Sequence, residues 1–409
     1  MNKMKKLVIS ALLANVMFST HCNICNFLKN FFFAQNNKET KKERMIKQID
    51  SDNGTPEKRI ATTHKRILHS IIGGAVGDAM GKPTEFIRSI HDILEQYPGG
   101  LRSFYDFKEK DFFEKRGKTY APYTDDTGMA KIVLEVLLET KQSNFALEKT
   151  MKKIAKEFVN DMSNKDGWAA YYRAPGNACI KNCKKLRKII LDKKKHPEKY
   201  KNIKWWRVGK TGTHGDGGCG SVMRTHPFGL IFAQNPQKAE DWAVEHSRLT
   251  HGADIALAAC AAMAVGTAYA VQGKDPGFIV QQMIKSAKKY DKKTAKKIEA
   301  AYKAALKNKK SCKTLEDMLK KSKTIFETYL GWAAHDAIAA TVYIFALCPD
   351  NIEHALALGT NTPGDSDSIA SMAGALVGAT GNNTMPQWVK MVESYKYLSV
   401  LARDVWELF

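Results

Sequence analysis

Along most of this chain apolar side chains recur three and four positions apart, and the alternation of two that marks a strand is nearly absent. Ile67, Leu68, Ile71 and Ile72 make one such stripe, and Met129, Ile132, Val133, Val136 and Leu137 make a second. Runs at 255–270, 338–347 and 369–377 continue the pattern, which predicts helices joined by long loops. The expected fold class is therefore all-α: one large, compact helical domain. The stretch "ADIALAACAAMAVGTAYA" at 253–270 is small and apolar on every side. Small residues let helix axes approach closely, so this segment is predicted to be a central buried helix. Its length would also suit a membrane span, but Asp254 and its modest bulk favour the core, and no membrane span is expected in the mature chain. No repeat of fixed period is present.

The periodicity fails at the N-terminus. The stretch "NNKETKKERMIKQIDSDNGTPEKR" carries no apolar period, so residues 22–62 read as a polar, disordered linker and residues 63–409 as the folded domain. Ahead of it, "MNKMKKLVISALLANVMFSTHC" has a basic start and an apolar run from Leu7 to Phe18. This predicts a signal peptide over residues 1–21 and a secreted or exported protein. Ser19 to His21 form no tidy small-x-small cleavage site, and a retained leader on a cytoplasmic protein is the alternative.

Charge narrows the partners. The 409 residues hold 64 Lys and Arg against 42 Asp and Glu, a formal net charge of +22. The excess is mostly lysine, concentrated at 181–204 and 285–323. These runs carry a single arginine, Arg187, where nucleic-acid sites usually show several with interleaved aromatics, so they read as solvated faces and nucleic acid is not expected as a partner. Of eight cysteines only Cys22 and Cys25 form a CxxC, which supports neither a disulfide scaffold nor a zinc site.

Acidic chemistry gathers at two predicted helix starts. "YTDDTGMAKIVLEVLLE" (123–139) and "NTPGDSDSIASMAGALVGATGN" (361–382) each place two carboxylates and neighbouring hydroxyls before an apolar helix. A helix cap uses one side chain, so capping leaves the second carboxylate of each pair unexplained. Four carboxylates meeting in a helical core would repel unless a cation joined them, and oxygen-only donors suit Mg²⁺, Mn²⁺ or Ca²⁺. Residues i and i+2 of a helix lie about 200° apart, so Asp365 and Asp367 can share a site only on a turn. Pro363 and Gly364 supply one.

Two further stretches stand out. "GGAVGDAMGKPTEF" (73–86) is dense in glycine, which is costly in a helix unless something approaches the backbone; it also offers Asp78 and Glu85. "THGDGGCGSVMRTHPFGL" (213–230) could cradle a phosphate on backbone N–H groups, although it is neither a Walker A loop nor preceded by a strand.

Together with "YRAPGNA" (172–178), "LTHGADIALA" (249–258) and "GWAAHDAIAA" (331–340), these stretches resemble the ADP-ribosylglycohydrolase family, which includes dinitrogenase reductase activating glycohydrolase and the ADP-ribosyl-arginine hydrolases. The resemblance covers about Ile67 to Phe409, with lysine-rich insertions. It implies a di-metal site in a central cleft: two Mg²⁺, or Mn²⁺, held by Thr124, Asp125, Asp126, Asp365, Asp367 and Ser368. It further implies Glu85 on a mobile loop over the metals, Gly218, Gly220 and Ser221 at a diphosphate, His251 close to substrate, and Trp332 able to stack on adenine. The candidate catalytic carboxylates are Glu85, Asp125 and Asp126. Four positions depart from the family's usual wording: Ser366 and Ser368 stand for threonines, Cys219 for an asparagine, and Pro363 for a glycine.

The expected function is Mg²⁺-dependent removal of ADP-ribose from a modified protein side chain, arginine foremost, by hydrolysis of its N-glycosidic bond, in a monomer that releases ADP-ribose. The alternatives are a helical protein that binds ADP-ribose or a related nucleotide without turnover, and a Mg²⁺-dependent phosphohydrolase. The second has less support because no residue is placed as a phosphate nucleophile.

Overall fold

The computed structural model describes residues 56–115, 117–141, 144, 146–382 and 384–409. The expected leader at 1–21, most of the expected linker, and the Cys22 and Cys25 pair lie outside the described residues. The compact unit begins at Thr62, beside the expected boundary, while helical backbone extends back to Pro56 within the stretch expected to be linker.

Fifteen α-helices build the described chain. They are α1 (Pro56–Gly81), α2 (Ile90–Gln96), α3 (Asp125–Thr140), α4 (Leu147–Asp161), α5 (Asn177–Lys195), α6 (His226–Ile231), α7 (Pro236–Ser247) and α8 (Asp254–Val271), followed by α9 (Pro276–Lys288), α10 (Lys292–Lys309), α11 (Leu315–Thr328), α12 (Ala334–Leu347), α13 (Ile352–Thr360), α14 (Ser366–Gly378) and α15 (Tyr395–Trp406). Among the described residues the only sheet is one hairpin, β1 (Phe113–Lys115) against antiparallel β2 (Lys118–Tyr120). The all-α expectation holds.

The core forms around α8, which packs against α6, α7, α9, α12 and α14. By length and apolarity α8 could cross a membrane, yet most of it is buried inside the protein. Its apolar circumference is what a helix surrounded by helices requires.

The glycines of α1 are explained by a second helix. Gly73, Gly77 and Gly81 recur every fourth residue and face α14: a methyl at Gly77 would overlap the Ala370 carbonyl, and one at Gly81 would overlap the Asp367 backbone. The close approach expected from the sequence is therefore backbone against backbone, and it sets the Asp367 end of α14 directly on the C-terminus of α1.

Candidate active site

Two helix starts meet in one pocket. Thr124 caps α3, accepting from the Asp126 N–H at 3.3 Å and donating its hydroxyl to Asp126 Oδ2 at 3.1 Å. Asp365 stands at the N-cap of α14 without a side-chain capping bond, after Gly364 at φ +93. The turn at 363–364 thus lets Asp365 and Asp367 share a site: an oxygen from each lies within 4.8 Å of the other and of one from Glu85. These three carboxylates, with Asp125, Asp126, Ser368, Cys219, His251 and Trp332, line a cavity of about 340 Å³.

Several buried groups hold this geometry. Asp78, fully buried on α1, accepts the Thr124 N–H at 2.7 Å and the Thr127 N–H at 2.8 Å, so one carboxylate fixes the first turn of α3 from outside it. Ser366 turns away from the pocket and donates to the Gly81 carbonyl at 2.8 Å, while Thr84 donates to the Thr360 carbonyl at 2.6 Å. Arg173, from "YRAPGNA", grips Glu393 with two 3.0 Å bonds and donates to the Tyr123 carbonyl at 2.6 Å. That pair, buried on both sides, ties the loop before Thr124 to the segment ahead of α15.

Glu85 follows the 3-10 turn 82–84 and is half-buried at the cavity wall. The next residue, Phe86, has φ +69, a region that strains a bulky side chain. Its N–H donates to the Gly364 carbonyl at 2.9 Å and Gly364 N–H returns a 2.9 Å bond to Ile87, a clasp that joins the Glu85 segment to the Asp365 loop. The Phe86 ring stacks on Trp332 with centroids 5.1 Å apart at the cavity mouth.

The glycine loop borders the cavity with part of its length. Gly218 and Gly220 line the cavity, but the Ser221 hydroxyl bonds Ser247 Oγ at 2.9 Å, within the core and outside the lining. The Cys219 N–H is engaged by the Trp332 carbonyl at 3.1 Å. The Cys219 thiol donates to Asp365 Oδ2 at 2.7 Å and sits 3.6 Å from Ser368 Oγ. Thr124 is buried behind Asp126 and does not line the cavity.

The electrostatics are those of crowded anions. Burial, followed by neighbouring carboxylates, pushes the Asp125, Asp126 and Asp367 carboxyls well above the usual range; burial also raises Asp365, against hydrogen bonds from Cys219 and Ser368. Glu85 is pushed up to about 9 by burial and then by Asp365, Asp125 and Asp78, with Lys82 opposing. The N-terminal dipoles of α3 and α14 and the buried Arg224 guanidinium, which favours the charged form of Asp125, offset part of this. Asp126 Oδ1 is buried with no hydrogen-bond partner. An orphaned oxygen beside close-packed carboxylates is a donor set that fits a hard divalent cation.

Asp78, Arg173 and Arg224 are the supporting residues that sequence reading left without a role. Each lay inside a quoted stretch, which was the available signal, but their partners are distant in sequence: Thr124 is 46 positions from Asp78, Glu393 is 220 from Arg173, and His246 is 22 from Arg224.

The family model for ADP-ribosylglycohydrolase matches residues 59–409. The chain is 25% identical over 353 residues to ADP-ribosylhydrolase ARH3 of Xenopus tropicalis, covering 81% of this chain and 92% of that protein. It is 23% identical over 370 residues to ADP-ribosylarginine hydrolase Tri1 of Pseudomonas putida, covering 86% and 80%. A solved structure, an ADP-ribosylglycohydrolase-related protein complex, shares the fold with a TM-score of 0.53 at 19% identity, over 85% of this chain and 99% of that one. With the site assembled from the stretches that carried the resemblance, the chain belongs to the ADP-ribosylglycohydrolase family, hydrolases that cleave a glycosidic bond of ADP-ribosylated substrates.

Proposed function

We propose that this protein is a Mg²⁺-dependent hydrolase that releases ADP-ribose from ADP-ribosylated arginine side chains. The observation that carries the reading is the cluster of four buried carboxylates, Asp125, Asp126, Asp365 and Asp367, with half-buried Glu85 on the wall of one cavity and Asp126 Oδ1 unpartnered. Two ions, Mg²⁺ or Mn²⁺, would be held by Asp125, Asp126, Asp365, Asp367 and Ser368 at the cavity wall, and by Thr124 once its hydroxyl is released from Asp126 Oδ2. When bound they would neutralise the carboxylates and polarise hydroxyl and water oxygens.

The chain's own residues supply the rest. Cleavage of the glycosidic bond develops positive charge at the anomeric carbon, and anionic oxygens fixed around it stabilise that charge in a site of low dielectric. Glu85 stands at the cavity wall beside Asp365 and Asp367, in position to move a proton to or from the reacting groups, with Asp125 or Asp126 as its counterpart. The Asp78 carboxylate and the Arg173–Glu393 pair hold the α3 loop still, so the acidic groups need no rearrangement during reaction. The aromatic faces of Phe86 and Trp332 offer a stacking surface at the mouth for a nucleobase.

Arginine as the leaving group is supported by the name of the Pseudomonas putida relative. A linkage panel tests it: the purified protein is given arginine-linked and serine-linked ADP-ribosyl proteins in Mg²⁺. Faster release of ADP-ribose from the arginine-linked substrate is the expected result, and faster release from serine would overturn the arginine assignment. A second reading, ADP-ribose binding without turnover, is favoured by one observation, the Cys219 thiol bonded to Asp365 in the site. Calorimetric binding of ADP-ribose with no product from any linkage would select it.

A further inference from the structure

Arg224 is fully buried, and among the described residues no carboxylate pairs with its guanidinium. Its donors go instead to His246 Nε2 at 3.1 Å, Met129 Sδ at 3.0 Å, Cys179 Sγ at 3.4 Å and Thr250 Oγ1 at 2.6 Å, and its plane lies over the Phe158 ring. Thr250, fully buried, is in turn 2.8 Å from Nδ1 of His251.

The hydrogens on this chain can be counted. A guanidinium has no acceptor, so Thr250 Oγ1 accepts from Arg224. The hydroxyl keeps one hydrogen, and His251 Nδ1 is the acceptor within reach. Were Nδ1 protonated, it and Arg224 would both donate to Oγ1 and leave the hydroxyl hydrogen buried without a partner, a costly arrangement. His251 Nδ1 is therefore the acceptor and Nε2 carries the proton. Burial, then Arg224, pushes His251 down to about 3, with Asp216 opposing, so the ring is neutral. Nε2 lies beside Gly218 and Gly220: a Cβ on these residues would stand 3.6 Å and 3.3 Å from it, and all three residues line the cavity.

We propose that Arg224 and Thr250 are positioning residues that lock His251 in its Nε2–H tautomer, making it a hydrogen-bond donor to the anionic diphosphate of the substrate at the glycine loop rather than a proton-accepting base. The substrate class rests on the proposed function; the tautomer does not.

The test is long-range ¹H–¹⁵N correlation on the full chain labelled at histidine ring nitrogens, with His251→Gln to assign the signals. Wild type is expected to show His251 with Nδ1 unprotonated and Nε2 protonated throughout neutral pH. Thr250→Val is expected to lose this pattern, and Thr250→Ser, which keeps the hydroxyl, to retain it. A protonated Nδ1 in the wild type overturns the inference whether or not any variant folds. Binding supplies the second arm: Thr250→Val should weaken ADP-ribose about ten-fold and leave adenosine within two-fold. Equal weakening of both would overturn the assignment to the diphosphate. If the tautomer stands and no linkage is hydrolysed, the proposed function fails and the positioning role survives.

Discussion

At the scale of single residues the site depends on charges held where they are poorly tolerated. Asp78 accepts two backbone N–H groups with its two oxygens, a task an amide can only half perform. Asp78→Asn is expected to cost about 1–3 kcal/mol of stability and to lower turnover at least ten-fold, measured by thermal melting and by ADP-ribose release. Cys219 makes a different prediction. Its contribution is a donor to Asp365 Oδ2, so Cys219→Asn, which keeps a donor, should stay within a few-fold of wild-type turnover, while Cys219→Ala should fall further. The order of the two variants checks the role. The acidic pairs at 125–126 and 365–367 were legible in the sequence because two carboxylates exceed what a helix cap needs. Asp78 was not, because a lone aspartate on a helix gives no hint that it caps another one. Ser221 was legible only as part of the glycine loop; that its hydroxyl bonds Ser247 in the core is a matter of packing, which the sequence does not show.

Among the helices, the contact of α1 with α14 carries the Asp365 loop. Intrinsic propensity says that alanine should stabilise a helix over glycine by about 1 kcal/mol. At Gly77 the Ala370 carbonyl occupies the space, so Gly77→Ala is expected to destabilise by about 1–3 kcal/mol, read from denaturant midpoints. Stabilisation would mean that the two helices do not meet there. The glycine period of four was visible in the sequence, and so was the need for a close neighbour. Which helix it was could not be read, because α14 lies nearly three hundred residues away. The Arg173–Glu393 pair works at the same scale, and removing one member of a buried pair strands the other. Glu393→Ala should cost about 3–5 kcal/mol.

For the whole molecule, the all-α architecture was the most legible feature, since helical periodicity is local and α8 announced its burial by lacking any polar face. Burial also sets the response to acid. His69 and His226 are each pushed down to about 4, chiefly by burial, against an ordinary value of 6.5. The unfolded chain therefore takes up protons first as pH falls, so the stability these histidines contribute is intact above 6.5 and is lost between 6.5 and about 4. The expected loss is on the order of 3 kcal/mol per histidine. His226→Gln should flatten the fall in melting temperature over that window.

The most direct test of the central claim is release of free ADP-ribose from an arginine-ADP-ribosylated protein, with wild type and Asp365→Ala compared in Mg²⁺ and in EDTA. Release by wild type that stops in EDTA and is absent in Asp365→Ala is the predicted result. Release that persists in EDTA, or survives loss of the Asp365 carboxylate, would contradict a metal-dependent hydrolase built on the carboxylates of α3 and α14.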